Sequence, residues 1–321
     1  MVGVAVGVVV AVGVVVGVAV WVGGKMTPLE DVIDRSLKLR PETKKVYRIA
    51  VRDFLKQTGE HPQNWTPEAV EAWRDGLLRL RLKAKTVNVY LTALRGVVKR
   101  WAQRTGERDF AVTVETVPMQ DKSLRQALTI GEARSLVATC KSHMALDLRD
   151  RAILVLGFRT GLRSGISICG IQFSDIDVKT RRIEVTNKGG KRHVLPPVDE
   201  ESWTCLDLWL RKLRGTGTSS GAVFRNLGGG LNEDGYHIGN QLSSNGLYKA
   251  LVKRAHVANV RFTPHIMRHS FVTWCRGLAI PDHVIALYTG HSLGGRSILD
   301  TYTSSLFTAN DTPVQKIPSL L

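Results

Sequence analysis

The sequence predicts a mainly α-helical protein with a small β-hairpin or sheet, an α+β fold. Three observations support this prediction. Apolar residues recur at helical spacing through most of the chain. Threonine and proline stand together where several of these helices would begin. Strand-like alternation of polar and apolar residues is confined to one short segment, residues 182 to 195.

Length and charge narrow the class of protein. With 321 residues, the chain is long enough for two domains, each with its own core. Lysine and arginine number 45 against 28 acidic residues, which gives a net charge of +17. Such an excess favours a polyanionic partner, because neutralising phosphates releases counterions. We therefore favour nucleic acid as the partner over an anionic membrane surface or a basic protein without such a partner.

The four cysteines are scattered, with no pair at the short spacing of a zinc site or a disulfide framework. We expect buried free thiols in a reducing cytoplasm. These residues are Cys140, Cys169, Cys205 and Cys275.

Residues 1 to 25 are built almost entirely from valine, glycine and alanine. This length would let a helix cross a bilayer, but no positive charge precedes it, and glycine with valine favours helix poorly. Because codons for all three residues begin with G, a G-rich repeat read in frame would encode this string. We favour a mis-called start over a membrane anchor. Translation would then begin at Met26, just before a capping box of Thr27 and Glu30.

Residues 26 to 107 are predicted to form a helical domain. Helices are expected over 41–58, 67–80 and 84–104. The last of these carries an apolar stripe opposite a basic face, which is composed of Lys85, Arg95, Lys99, Arg100 and Arg104. Residues 108 to 126 lack helical periodicity and are interpreted as a linker.

A second domain is predicted over residues 127 to 306. Thr129 and Glu132 form a capping box, and the apolar run over 147–159 predicts a buried core helix. The hairpin pairs 182–186 with 192–195 through a glycine-rich turn. Further helices are expected at 202–213 and 247–257, with a long glycine-, serine- and asparagine-rich loop over 216–246.

The stretch from Thr263 to Ser304 carries side chains suited to phosphate chemistry. His265 and Arg268 are three apart at a helix start, so both leave the same face. His291 follows a glycine, and Tyr302 follows later. Arginine presents a fork of donors to phosphate, histidine shuttles protons, and a tyrosine oxygen can attack phosphorus. Tyr288 is the nearby alternative nucleophile, although its place before Gly290 favours packing.

In this order the motifs resemble those of the tyrosine recombinase, or phage integrase, family, with Xer-like members. That family carries HxxR, then GH, then a tyrosine in a phrase like DTYTS at 300–304. TGLR at 160–163 is similar to its first active-site arginine, and KTVNVYLTALR at 85–95 resembles its N-terminal core-binding domain. The matched catalytic residues are Arg163, Lys188, His265, Arg268, His291 and Tyr302.

The resemblance implies site-specific DNA strand breakage and rejoining. The two arginines would hold the scissile phosphate, and Tyr302 would attack it to form a 3′-phosphotyrosyl link, with His265 as base. Lys188 would protonate the leaving 5′ oxygen, with Lys191 as the alternative, and His291 would donate a hydrogen bond. Because the covalent link retains the bond energy, no metal, nucleotide or other cofactor is expected.

The resemblance also implies double-stranded DNA as partner, a homo-tetramer on paired sites, a cytoplasmic location at the nucleoid, and action on a mobile element. Helper proteins are a further expected class of partner, and no membrane is expected. Residues 26–107 would bind DNA, 127–306 would carry the chemistry, and 307–321 would form the C-terminal tail. The chain after Tyr302 would dock on a neighbouring subunit, with Leu306 and Phe307 as its apolar anchor.

One departure from the family pattern follows Arg163. The family usually has a carboxylate three residues later, whereas this chain has Ser164, Gly165, Ile166 and Ser167. The next segment fits only if one extra residue is allowed, which puts Ser167 or Ile166 in the place of the carboxylate. The alternative function is therefore a catalytically impaired DNA-binding accessory protein on the same fold.

Overall fold

The computed structural model describes residues 27–119, 127–187, 189–229, 236–290 and 313–321. The chain divides into two compact units, a first unit up to Lys122 and a second unit from Ser123. The predicted mainly helical architecture with small sheets is confirmed. Within the described ranges, no helix is long and apolar enough to span a membrane. Residues 1 to 25 lie outside the described residues, so our interpretation of that segment stays a prediction.

The described residues of the first unit form four α-helices around an aromatic core. The predicted capping box of Thr27 and Glu30 is confirmed at the start of the first helix. Phe54 packs edge-on against Trp73 at 5.7 Å between ring centroids, and Trp65 meets Trp101 at 5.4 Å. The helices are α1 (Pro28–Asp34), α2 (Pro41–Thr58), α3 (Pro67–Arg79) and α4 (Ala84–Thr105), with a 3-10 turn at Pro62–Asn64.

The chain after α4 folds back onto the first unit. Phe110, Ala111 and Val114 are buried in its core. The Asn88 side chain exchanges two 2.8 Å hydrogen bonds with the backbone of Val117. Residues 110–117, predicted as part of the linker, are thus packed against α4.

The second unit is arranged around one buried helix. Its helices are α5 (Ile130–Val137), α6 (Ala145–Thr160), α7 (Glu200–Gly215), α8 (Ser244–Val257), α9 (Pro264–Gly277) and α10 (Asp282–Thr289). The capping box of Thr129 and Glu132 is confirmed, and so is the predicted burial of α6, which packs against α7 and α9. Thr263 occupies the N-cap position of α9 but makes no capping side-chain hydrogen bond.

Two small antiparallel sheets flank these helices. The predicted hairpin is confirmed: β2 (Arg182–Thr186) pairs with β3 (Arg192–Val194), and β1 (Ile176–Asp177) joins the other edge of β2. A second pair, β4 (Arg225–Gly229) and β5 (Tyr236–Gln241), lies where the sequence predicted only a loop. The prediction of a loop was wrong. These two strands place only a few apolar side chains, such as Leu227 and Ile238, against the core, so their sequence shows little alternation of polar and apolar residues.

The C-terminal residues pack against their own chain. Val314, Ile317 and Leu320 are buried. The buried guanidinium of Arg159 donates to the carbonyls of Val314, Ile317 and Pro318 at 3.2 to 3.3 Å. This guanidinium is itself paired with Asp199 at 2.5 Å and Glu201 at 3.2 Å. The predicted anchor of Leu306 and Phe307 lies outside the described residues.

The prediction that the cysteines are buried free thiols is confirmed. All four thiols are buried and free. Burial raises the pKa of Cys169 and of Cys275 to about 12, so these thiols are unreactive at neutral pH.

Candidate active site

Arg268 lies on α9 with its guanidinium turned into the second unit. The residue is 8% exposed, and Nη1 donates to the carbonyls of Gly161 at 2.9 Å and Thr289 at 2.7 Å. Nη2 is equally buried but meets no hydrogen-bond acceptor among the described residues. A buried donor without a partner is costly, so Nη2 is ready to bind an anion.

Gly161 ends α6 beside this guanidinium. Its φ of +62° is left-handed, a conformation that glycine adopts without strain. A Cβ here would lie 2.4 Å from Cδ1 of Phe271 and 3.0 Å from Cγ2 of Thr289. The absence of a side chain therefore lets α6 end against α9 and α10, with Arg163 two residues further along the chain.

Arg163 opens a π-helical turn over Ser164–Ile168. Its carbonyl accepts hydrogen bonds from the backbone N–H groups of Ser167 at 2.8 Å and Ile168 at 3.1 Å. A π-turn accommodates one residue more than an α-turn, and such turns are common at functional sites. A turn of this kind can accommodate the one extra residue that the family pattern would need after Arg163.

The two arginines lie close enough for their charges to interact. Burial, and then the positive charge of Arg163, lower the pKa of Arg268 to about 10, so the guanidinium stays charged at neutral pH. Neither side chain forms an ion pair with a carboxylate in the part of the chain that the structure describes. Two interacting cations without a carboxylate partner have the charge and the donors that an anion requires.

Ser167, rather than Ile166, is the buried residue of this turn. Ser167 is fully buried, and its Oγ donates to the carbonyl of Thr186 at 3.0 Å and to Oδ1 of Asn187 at 3.4 Å. Ile166 is 44% exposed. Of the two sequence alternatives for the carboxylate position, Ser167 therefore contacts the turn that precedes Lys188.

Asn187 and His193 form a buried pair that the sequence analysis missed. Nδ2 of Asn187 lies 2.8 Å from Nδ1 of His193. Burial, then the charges of Arg268 and Arg163, lower the pKa of His193 to about 4, so the ring is neutral at pH 7. The one available signal was position: on β3, His193 alternates inward between the exposed Arg192 and Val194.

The remaining predicted site residues are described only in part. His265 lies in the first turn of α9, with an exposed side chain, one turn before Arg268. Lys188, His291 and Tyr302 lie outside the described residues. The alternative nucleophile Tyr288 is fully buried and packs against Phe271 at 5.9 Å between ring centroids, as a packing residue would.

Comparison with known proteins identifies the family. The sequence profile described as "Phage integrase family" matches residues 126–308, more than half of the chain. The chain belongs to the phage integrase family, the tyrosine recombinases. Tyrosine recombinase XerD of Mycobacterium tuberculosis is 29% identical over 286 residues, 85% of both chains. Tyrosine recombinase XerC of Chromobacterium violaceum is 30% identical over 174 residues, so this chain spans about half of that relative's length.

Solved structures of this family share the fold. A lambda integrase tetramer bound to a Holliday junction gives a TM-score of 0.64 at 15% identity and covers 84% of this chain and 77% of its own. The Tn1549 transposon integrase in complex with circular intermediate DNA gives 0.62 at 19% identity, with 87% and 96% covered. The chain therefore shares the fold of these integrases, with a helical first unit followed by a second, mainly helical unit that carries small sheets.

Proposed function

We propose that this protein is a site-specific DNA recombinase that cleaves and rejoins DNA strands through a 3′-phosphotyrosyl intermediate. The observation that carries the proposal is the pair of guanidinium groups of Arg163 and Arg268. The positive charge of Arg163 acts on the buried guanidinium of Arg268, neither side chain forms an ion pair with a carboxylate in the described residues, and Nη2 of Arg268 lacks an acceptor among them. A phosphodiester supplies the charge and the acceptor oxygens that this pair lacks.

The proposed reaction begins with attack on phosphorus by the phenolic oxygen of Tyr302. An O–P bond to the tyrosine forms, the P–O5′ bond breaks, and a 3′-phosphotyrosyl link remains. His265 accepts the phenol proton, and Lys188 gives a proton to the departing 5′ oxygen. The arginine pair stabilises the charge that develops on the non-bridging oxygens, and His291 donates a further hydrogen bond. Attack by a 5′ hydroxyl of another strand reverses these steps and rejoins the DNA.

Ser167 supports an active enzyme rather than an impaired accessory protein. Its hydroxyl bonds the end of β2 and Asn187, the residue before Lys188, so the position of the missing carboxylate still braces this turn. No observation on the described residues favours the accessory function.

The proposal extends to partners and organisation. We assign DNA binding to residues 26–107 and strand chemistry to residues 127–306, because the exposed cations of α4 and the arginine pair fall on these two segments. The lambda integrase tetramer is bound to a Holliday junction, and we propose a homo-tetramer on two duplexes for this chain too. We place it in the cytoplasm, at the nucleoid when bound to DNA.

A nicked suicide substrate that carries the recognition site tests the proposal. When the short strand beyond the cleavage point diffuses away, the covalent protein–DNA adduct cannot reverse and accumulates. We expect an adduct with the unaltered protein, seen as a shifted band under denaturing conditions, and none with Tyr302→Phe. Tyr288→Phe is the matched control and should still form the adduct.

Two results would contradict the proposal. An adduct that still forms with Tyr302→Phe would show that another residue is the nucleophile. DNA binding without any adduct from the unaltered protein would favour the accessory function instead.

A further inference from the structure

The buried side chain of Asn187 bridges three chain segments. Its Oδ1 accepts from Ser167 on the π-turn at 3.4 Å, and its Nδ2 lies 2.8 Å from Nδ1 of His193 on β3. A Cβ at Gly290 would lie only 2.2 Å from the same Nδ2, so the amide fills the space beside that glycine. Asn187 is 5% exposed. A polar group held this way is fixed in one orientation.

The backbone of Asn187 is fixed as well. Its N–H donates to the carbonyl of Lys191 at 2.7 Å, and its carbonyl accepts from Gly190 at 3.0 Å, which closes the hairpin turn. Asn187 immediately precedes Lys188 in the chain, and Gly290 immediately precedes His291. The amide therefore lies where the two segments that carry these proposed catalytic residues meet.

His193 acts in this arrangement as a neutral acceptor. The Asn187 amide donates to Nδ1, which leaves the ring proton on Nε2. Nε2 is buried and has no hydrogen bond within the described residues, although the backbone of Leu287 and Tyr288 lies near the ring. A protonated ring would lose its acceptor at Nδ1 and would place a third positive charge beside Arg163 and Arg268. The neutral ring is thus the form that holds Asn187.

We propose that Asn187 and His193 are positioning residues that hold the hairpin turn so that Lys188 can protonate the leaving 5′ oxygen. This inference rests on the proposed function, in which Lys188 is the general acid. Neither residue touches DNA in this role. Loss of either should impair chiefly the proton transfer to the leaving group.

A change of leaving group isolates that step. In a suicide substrate with sulfur in place of the bridging 5′ oxygen, attack by Tyr302 breaks a P–S bond and releases a thiolate. A thiolate needs no proton to depart, so the general acid becomes unnecessary. The rate of adduct formation is measured on the oxygen and the sulfur substrate for each variant. The ratio of the two rates does not depend on the fraction of protein that is folded and active.

The variants are Asn187→Ala and His193→Leu, with Lys188→Ala and Lys191→Ala as references. Val194→Thr, at the exposed next position of β3, is the matched control. General acids contribute about 10²- to 10⁴-fold, so we expect Lys188→Ala to lose that much on the oxygen substrate and the two positioning variants to lose about tenfold or more. On the sulfur substrate all three should return to within about threefold of the unaltered protein. Val194→Thr should match the unaltered protein on both.

The outcomes separate the inference from the proposed function. If Lys188→Ala is restored by sulfur while Asn187→Ala and His193→Leu stay slow, or if these two are never slow, the positioning role is overturned and the recombinase function stands. If sulfur restores Lys191→Ala and not Lys188→Ala, Lys191 is the acid and the inference fails as stated. If the unaltered protein forms no adduct on either substrate, the proposed function itself fails.

Discussion

Arg268 divides its two terminal nitrogens between fold and chemistry. Nη1 joins the end of α6 to the end of α10 through the carbonyls of Gly161 and Thr289, while Nη2 has no acceptor among the described residues and is the nitrogen that we propose binds the phosphate. A lysine has one terminal nitrogen on a flexible stem and cannot reproduce this fork. Arginine at this position is therefore not exchangeable for another cation.

Arg268→Lys should lower the rate of adduct formation on the nicked substrate by about 10²- to 10³-fold, the usual cost of removing one oxyanion donor. DNA affinity, measured by gel shift, should fall far less, because many other cations contact the phosphates. Arg276→Lys is the control on the same helix. Arg276 is exposed and paired with Asp282 at 2.9 Å, and a lysine keeps that pair. Equal losses for both variants would remove the special role of Arg268.

From the lowered pKa of His193 we expect the stability of the protein to depend on pH. Its pKa is lowered to about 4 in the folded protein, against an ordinary value of 6.5. Between these two values the unfolded chain binds a proton that the folded chain does not, so the free energy of unfolding should decrease as pH falls from about 6.5 to about 4. The loss reaches about 3 kcal/mol, at about 1.4 kcal/mol per pKa unit.

The measurement is urea unfolding at pH 7 and at pH 4.5, comparing the unaltered protein with His193→Gln. Carboxylates titrate in both proteins, so the difference between the two pH curves isolates the histidine. The unaltered protein should lose more stability on acidification than the variant. Parallel curves would show that the ring is not held neutral by its surroundings.

At the scale of elements, the spacing of apolar residues predicted helices whose position depends on the local sequence. The apolar run over 147–159 predicted α6, since a helix that is apolar all round must be buried. Gly161 shows the limit of that approach. The sequence placed it in a motif, but the close approach of Phe271 and Thr289 that requires a glycine is a tertiary contact. Asn187 was missed for the same reason, because its partners lie 20, 6 and 103 residues away along the chain.

The C-terminal segment is an element whose packing the sequence did not predict. The tail has no helical periodicity, and its predicted docking through Leu306 and Phe307 stays a prediction, whereas residues 313–321 fill apolar space on their own unit. The buried charge of Arg159 made this possible. Its pairing with Asp199 and Glu201 leaves N–H groups that satisfy the carbonyls of an irregular chain. The pattern of apolar residues alone does not predict a buried arginine that binds carboxylates and backbone carbonyls at once.

Leu320→Ala and Leu321→Ala form a matched pair for this segment. Leu320 is 1% exposed, whereas its neighbour is 62% exposed. We expect the buried truncation to lower the free energy of unfolding by about 2 to 4 kcal/mol, as core Leu→Ala changes do, and the exposed one to change it by less than about 0.5 kcal/mol. Denaturant unfolding of both variants measures the difference. Equal effects would mean that the segment does not pack on this unit in solution.

For the whole molecule, the sequence predicted the family, the fold class and the chemistry, but it did not predict most of the side-chain contacts. Motifs that occur in the family's order identify the residue types that phosphodiester chemistry requires. They can be recognised in this chain because that chemistry needs the same residue types throughout the family. The basic face of α4 illustrates what cannot be predicted this way. Arg95 belongs to it by sequence, yet its Nε donates to the carbonyl of Ala111 at 3.2 Å and so fixes the chain after α4. Lys85 and Lys99 remain exposed.

These two lysines permit a test of how the charge of the whole protein is used. They are 14 residues apart, so on a helix they share one face at a separation of about 21 Å, which suits the phosphates along a duplex. If each neutralises one phosphate, Lys85→Gln with Lys99→Gln should make the slope of log K against log salt shallower by about 1.8. The loss should be the same on specific and on random DNA, because phosphate contacts carry no sequence information. Arg35→Gln is the control in the same unit, since Arg35 is already paired with Asp31 at 2.7 Å. An unchanged slope in the double variant would mean that α4 does not face the DNA and that the excess charge acts from other surfaces.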